Sequence, residues 1–142
     1  MRKHLSLVAF TAGLLLAVGY ADQTKNRVTI PANKTNPTDG RQMYNSYCAP
    51  CHGVDGRGRG PAAQALKSPP VDLTALARNN RGKYPDSHVM AVLQFGTEIS
   101  AHGSEQMPVW GPIFSRMNVA NSQEKDLRMS NLSRYLQSMQ VK

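Results

Sequence analysis

At 142 residues the chain has room for one domain with a small core. Its formal charge of +8 admits a membrane surface or an acidic partner, but no basic helix or aromatic-interleaved groove supports a nucleic-acid site. Both of its cysteines fall in one stretch, "YCAPCHG" at Tyr47–Gly53, which places any thiol chemistry at a single point.

The N-terminus reads as an export signal. Arg2 and Lys3 precede an apolar run from Leu5 to Val18, and Gly19-Tyr20-Ala21 puts small groups where a signal peptidase reads them. Residues 1–21 are therefore expected to be a signal peptide cleaved after Ala21. The competing reading is a retained anchor, but the run falls short of the about 20 apolar residues a spanning helix needs. No cysteine lies near the cleavage point to carry a lipid. The mature chain is expected in a bacterial periplasm, without a stable membrane span, and losing Arg2 and Lys3 leaves +6 of the formal charge.

Residues 22–37 are polar, with Pro31 and Pro37, and read as a flexible leader to a domain over 38–142. A helix is predicted from a cap at Thr38 or Asp39 to about Cys51–Gly53, with Met43, Tyr44 and Tyr47 on its apolar side. "GVDGRGRGP" must be loop, and "SPPVDLT" extended or turn-like. "AAQALK" and "DLTALAR" suit short helical turns. "PDSHVMAVLQFG" predicts a helix capped by Asp86 or Ser87, burying Val89, Val92 and Leu93, and stopped at Gly96. "TEISAHGSEQMPVWGPIF" carries two prolines and two glycines and reads as a functional loop. The last helix starts near Ser122, with a capping box of Asn121 and Glu124 and a stripe of Leu132, Tyr135, Leu136 and Met139. Such long loops are unusual in a small domain unless they serve a site. A large apolar cofactor would fill the space that so few helices leave.

"CAPCH" admits three chemistries. A thioredoxin-like dithiol belongs at the start of a helix that follows a strand, whereas here the cysteines close a predicted helix. A zinc site wants four Cys or His ligands, so Cys48, Cys51 and His52 would need His88 or His102. A disulfide between Cys48 and Cys51 would close a tiny, strained loop. Cys-x-x-Cys-His is the attachment signature of c-type haem: each thiol adds to one vinyl group, and His52 offers a ring nitrogen to the iron. Export, long loops and the thin core favour this third reading.

The mature region resembles the class I (monohaem) cytochromes c from about Asp39 to Gln140. "GRQMYNSYCAPCHGVDGRGRGP", "PPVDLT", "SHVMAVLQFGT", "MPVWGPIF" and "SRYLQSM" occur in that family's order. The resemblance implies an all-α cytochrome c fold, small helices and long loops wrapped around one haem c held by Cys48 and Cys51. It implies a close crossing of the two end helices, Gly40 and Tyr44 against Tyr135. It also implies that the Pro61 carbonyl accepts from the second ring nitrogen of His52. The segment "PPVDLTALARNN" departs from the short mitochondrial type and is similar to bacterial domains, including those attached to oxidases.

For the sixth iron ligand, Met107 stands in "EQMPVWG", on a loop stiffened by Pro108, where a weakly binding thioether needs holding. The family places its methionine in such a Met-Pro context. His102, five residues earlier, is the alternative. Met129 and Met139 on the last helix suit packing or the surface better, Met90 and His88 in the middle helix are poorly placed to reach a planar ring, and Met117 follows "IF" in a less ordered segment. Trp110 is either a core aromatic or a group that packs on the ring edge and donates its indole N–H to a haem carboxylate. Arg81, Lys83 and Tyr84 are further candidates for the carboxylates. Arg57, Arg59, Lys67 and Lys83 offer a basic face to an acidic partner.

With His52 and Met107 both bound, the expected role is a single-electron carrier and not an enzyme, its partners being redox proteins such as a membrane-bound oxidase or dehydrogenase. The alternatives are a haem enzyme or sensor with an open sixth position, or the cytochrome subunit of a larger complex.

Overall fold

A computed structural model describes residues 32–96 and 106–141, and the predicted signal peptide lies outside them. Among these residues the structure is helical, with six α-helices and two 3₁₀ turns and no strand. Helix α1 spans Gly40–Tyr47 and α2 spans Ala49–His52. The 3₁₀ turns Ala63–Ala65 and Leu73–Ala75 precede α3, Leu76–Asn79. Helices α4, Asp86–Phe95, α5, Trp110–Met117, and α6, Gln123–Ser138, complete the order.

Asp39 starts α1 by accepting the Gln42 backbone N–H at 2.8 Å. The helix breaks at Cys48 because Pro50 has no N–H to continue the ladder, and it restarts as the one-turn α2. Gly53 ends that turn with φ 78°, a conformation glycine adopts without strain. Its carbonyl accepts the buried Tyr44 hydroxyl at 2.6 Å, which ties the end of α2 back to α1.

The two end helices cross where the resemblance implied. Gly40 lies against the Asn131 carbonyl, and a Cβ there would stand 2.9 Å from Tyr135 Cβ. The Tyr44 and Tyr135 rings meet at 5.3 Å between centroids. Met43, Tyr44, Tyr47, Trp110, Phe114 and Leu132 form the fully buried centre of the core, with Met129, Leu136, Val89 and Leu93 around it.

Four local expectations change. First, α5 occupies the end of the predicted loop. Trp110, Ile113, Phe114 and Met117 follow the i, i+3, i+4, i+7 spacing, and Pro112 falls in the first turn, where its missing N–H has no partner to lose. Second, neither Asp86 nor Ser87 caps α4. The Asp86 carboxylate instead accepts the Ser133 hydroxyl of α6 at 2.7 Å. Third, the Asn121–Glu124 box does not form: Asn121 accepts the Gln123 N–H at 3.1 Å, while Glu124 turns to Asn118 at 2.6 Å and Arg128 at 2.7 Å. Fourth, the end of the leader is not loose. The Asn33, Thr35 and Pro37 carbonyls accept from Tyr47, Arg128 and Asn131.

Hydrogen bonds from Asn118, then Arg128, hold the Glu124 carboxyl below its ordinary range. A carboxylate depressed in the folded state contributes stability above its unfolded pKa and loses it as pH falls. Glu124→Gln should therefore lower the melting temperature at pH 7, and the gap to wild type should narrow below about pH 4.3. Thermal melts across pH check this. An equal gap at pH 7 and pH 3 would contradict it.

Candidate functional site

The helices enclose a cavity of about 720 Å³, within the range of about 300–1,000 Å³ typical of cofactor sites. One wall carries Tyr47, Cys48, Cys51 and His52 from the α1–α2 junction. The extended segment around Val71, the inner side of α4 at Val89, Val92 and Leu93, and Leu136 of α6 supply the apolar lining. Met107, Pro108 and Trp110 enter from the segment leading into α5.

The α2 turn explains the Cys-x-x-Cys-His spacing. Positions i, i+3 and i+4 share one helical face, so Cys48, Cys51 and His52 point together. Both cysteines are free thiols, Cys48 buried and Cys51 half-buried. Burial, with Cys51 adding to it, pushes the Cys48 thiol up to about 12, and burial also raises Cys51. Thiols this hard to ionise are poor attacking groups in dithiol exchange. The cysteines stand at the α1–α2 junction, directly after a helix, and thiols this protonated do not suit the thioredoxin-like reading. Among the described residues no group of three or more metal-ligating side chains gathers around one ion position; His88, a candidate fourth zinc ligand, lines the same cavity, and His102 lies outside the described residues.

His52 is buried, and desolvation lowers its pKa. Its Nδ1 lies 3.1 Å from the Val71 carbonyl. Burial favours the neutral imidazole, and donation from Nδ1 to this carbonyl selects the tautomer whose Nε2 lone pair is free for a metal. The acceptor is thus Val71 and not Pro61, which is exposed and outside the cavity lining. Pro69 and Pro70 straighten the chain that brings the Val71 carbonyl to the ring. The glycine loop meanwhile folds back on α2, with the Gly60 N–H donating to the Cys51 carbonyl at 2.9 Å, and carries Pro61 away.

Met107 is half-buried and lines the same cavity as His52, so the structure brings together residues 55 positions apart in sequence. Trp110 proves to be both core and lining. It is 2 % exposed and sits 5.1 Å from the Tyr47 ring and 5.5 Å from Phe114. His102 lies outside the described residues. Met129 is buried in the core, Met139 packs near Gly56, and Met117 lies 3.9 Å from the Tyr47 hydroxyl. Arg81, Lys83 and Tyr84 do not line the cavity. Tyr84 donates to the Ser133 carbonyl at 3.0 Å instead. Of the basic residues, Arg57 and Arg59 are partly neutralised by Asp55, at 3.9 and 3.3 Å. Sequence reasoning missed the Val71 carbonyl, and a backbone acceptor leaves no trace in residue identity. It also missed Tyr47 as cavity wall, although its place directly before Cys48 was a usable signal.

Two thiols, a neutral imidazole and a thioether around an apolar cavity make a donor set that fits one large iron-bearing macrocycle. The comparisons agree. The family model described as cytochrome c oxidase, cbb3-type, subunit III matches residues 35–121. Cytochrome c-551 of Bacillus subtilis (strain 168) is 30% identical over 92 residues, covering 60% of this chain and 82% of that protein. No solved structure matches.

Proposed function

The chain belongs to the monohaem c-type cytochromes, and on that premise we propose a periplasmic electron carrier with His52 and Met107 as axial ligands and Cys48 and Cys51 as thioether anchors. Its fold is the all-α cytochrome c fold, and membership of the family makes it an electron-transfer haem protein. The observation that carries the finer reading is the single cavity in which Cys48, Cys51, His52 and Met107 meet.

When bound, the haem iron takes up and gives back one electron by cycling between ferric and ferrous. The protein's residues do the rest. Cys48 and Cys51 hold the group on one face of α2. The Val71 carbonyl orients His52 through Nδ1, and burial keeps the ring neutral. Val89, Leu93 and Leu136 exclude water, and Trp110, buried in the lining, would offer its indole N–H to a carboxylate of the bound group. With both His52 and Met107 bound, the iron would have no open site for substrate, which is the case for a carrier over an enzyme.

Residues 1–21 are the proposed export signal and 38–142 the proposed domain, with exposed basic residues such as Lys67 steering acidic redox partners. Among the described residues no helix is long and apolar enough to cross a membrane. A membrane-bound oxidase or dehydrogenase remains a candidate partner. The attachment is tested by expression in a host that matures c-type haem, followed by mass measurement of the denatured protein. Wild type should keep one haem, and Cys48→Ala/Cys51→Ala should keep none. Haem retained by the double variant would contradict the thioether assignment.

A further inference from the structure

Arg128 is a cationic side chain only 3 % exposed, and nothing in electron transfer requires it. All five of its N–H groups are engaged. Nε and Nη2 donate to Glu124 at 2.9 and 2.7 Å. Nη2 also donates to the Thr35 carbonyl at 2.9 Å, and Nη1 to the Thr35 hydroxyl at 3.0 Å. The remaining Nη1 hydrogen faces Met43 Sδ at 3.9 Å. A guanidinium satisfied in this way is a built fixture, and what it fixes is the chain at residues 33–37.

The donor count carries the fixture onward. The Tyr47 hydroxyl has one hydrogen, donated to the Asn33 carbonyl at 2.5 Å. It therefore accepts from Thr35, whose hydroxyl lies 2.8 Å away and itself accepts from Arg128. Tyr47 directly precedes Cys48, lines the cavity, and packs its ring 5.1 Å from Trp110, three residues beyond Met107. Arg128 closes the other end of the cluster, its guanidinium carbon 6.0 Å from the Phe114 ring centre.

We propose that residues 33–37, pinned by Arg128, form a strap that holds the Tyr47–Trp110 wall in place and thereby resists displacement of Met107 from the iron. This rests on the His52/Met107 reading above. Thr35 and Arg128 are positioning residues: neither lines the cavity, and both act through Tyr47. A loosened wall would let the Met107 segment open more often, so an external ligand would capture the iron at lower concentration.

The test is imidazole binding to the ferric holo-protein, followed by its optical spectrum. Thr35→Val removes the hydroxyl relay with little change of shape, and should bind imidazole about threefold more tightly. Tyr47→Phe should do the same. Thr35→Ser restores the hydroxyl and should return to the wild-type value. Arg128→Gln should give about a tenfold change, the size of one charge-assisted hydrogen bond. Tyr84→Phe breaks a bond to α6 away from the strap; it should lower thermal stability and leave imidazole affinity unchanged. Wild-type affinity in Thr35→Val and Tyr47→Phe, with the methionine band present in wild type, would overturn the strap and leave the axial-ligand reading standing. A wild type without that band would overturn both.

Discussion

Met107→Ala should lower the reduction potential on the order of 0.1 V, a modest part of the ~0.8 V range that axial ligands span. For one electron, 59 mV is tenfold, so this shifts the redox equilibrium about 50-fold toward ferric. The cause is the thioether. It is a soft donor that favours ferrous iron, and neither water nor an imidazole replaces that preference. Met107 is the methionine that both lines the cavity and is followed by a proline that stiffens its segment. Met90→Leu is the matched control. Met90 packs against the core from α4 without lining the cavity, so its loss should leave the potential within a few per cent of that shift. A potential unchanged in Met107→Ala would move the sixth ligand elsewhere and revive the open-site reading. The same variant should gain affinity for small external ligands of iron; His88 also lines the cavity, so Met107→Ala/His88→Ala distinguishes an emptied position from one refilled by that imidazole.

Gly40→Ala should cost about 3 kcal/mol, the top of the usual range for overpacking. The added methyl meets the Asn131 backbone carbonyl and stands 2.9 Å from Tyr135 Cβ. Neither is the far end of a flexible side chain, so α1 and α6 must separate. For a domain of about 100 residues this lowers the melting temperature by roughly 12–24 °C. Gly82→Ala provides the contrast. Gly82 has φ +81° but nothing within 4 Å of an added Cβ, so only backbone strain of about 1 kcal/mol applies. Thermal unfolding of the two ferric proteins, side by side, separates the effects. Equal melting temperatures would mean that the crossing yields without loss.

Both predictions begin from features that residue identity makes legible. The Asp39 cap identifies the start of α1, Gly96 the end of α4 and an apolar stripe α6, and the Cys-x-x-Cys-His spacing identifies the cofactor wall before any coordinates. What stayed hidden has specific causes. Helix α5 looked like loop because Pro112 reads as a breaker, yet a proline in a first turn costs no hydrogen bond, and the Trp110–Met117 stripe was there to count. The His52 partner is a backbone carbonyl, and every residue has one. Only tertiary structure decides between Val71 and Pro61. The strap was invisible for a related reason. Its anchors are carbonyls of a polar, proline-bearing stretch, and the residue that binds them, Arg128, lies 93 positions away on a helix face that sequence would assign to solvent.

The caps show the same competition on a smaller scale. Asp86 and Glu124 both have the chemistry to close a helix end, and each is drawn instead to a partner on or beside α6. The Ser133 hydrogen bond ties α4 to α6, whereas Glu124 pairs with Arg128 one turn along α6 itself and with Asn118 just ahead of the helix.

The central claim is that His52 and Met107 share one iron. Its most direct test is the far-red optical spectrum of the oxidised protein, made in a host that attaches haem, for wild type and Met107→Ala. The account predicts a weak far-red band in wild type that is absent in Met107→Ala and retained in His102→Ala. A band that survives the loss of Met107, or one lost with His102, would contradict it.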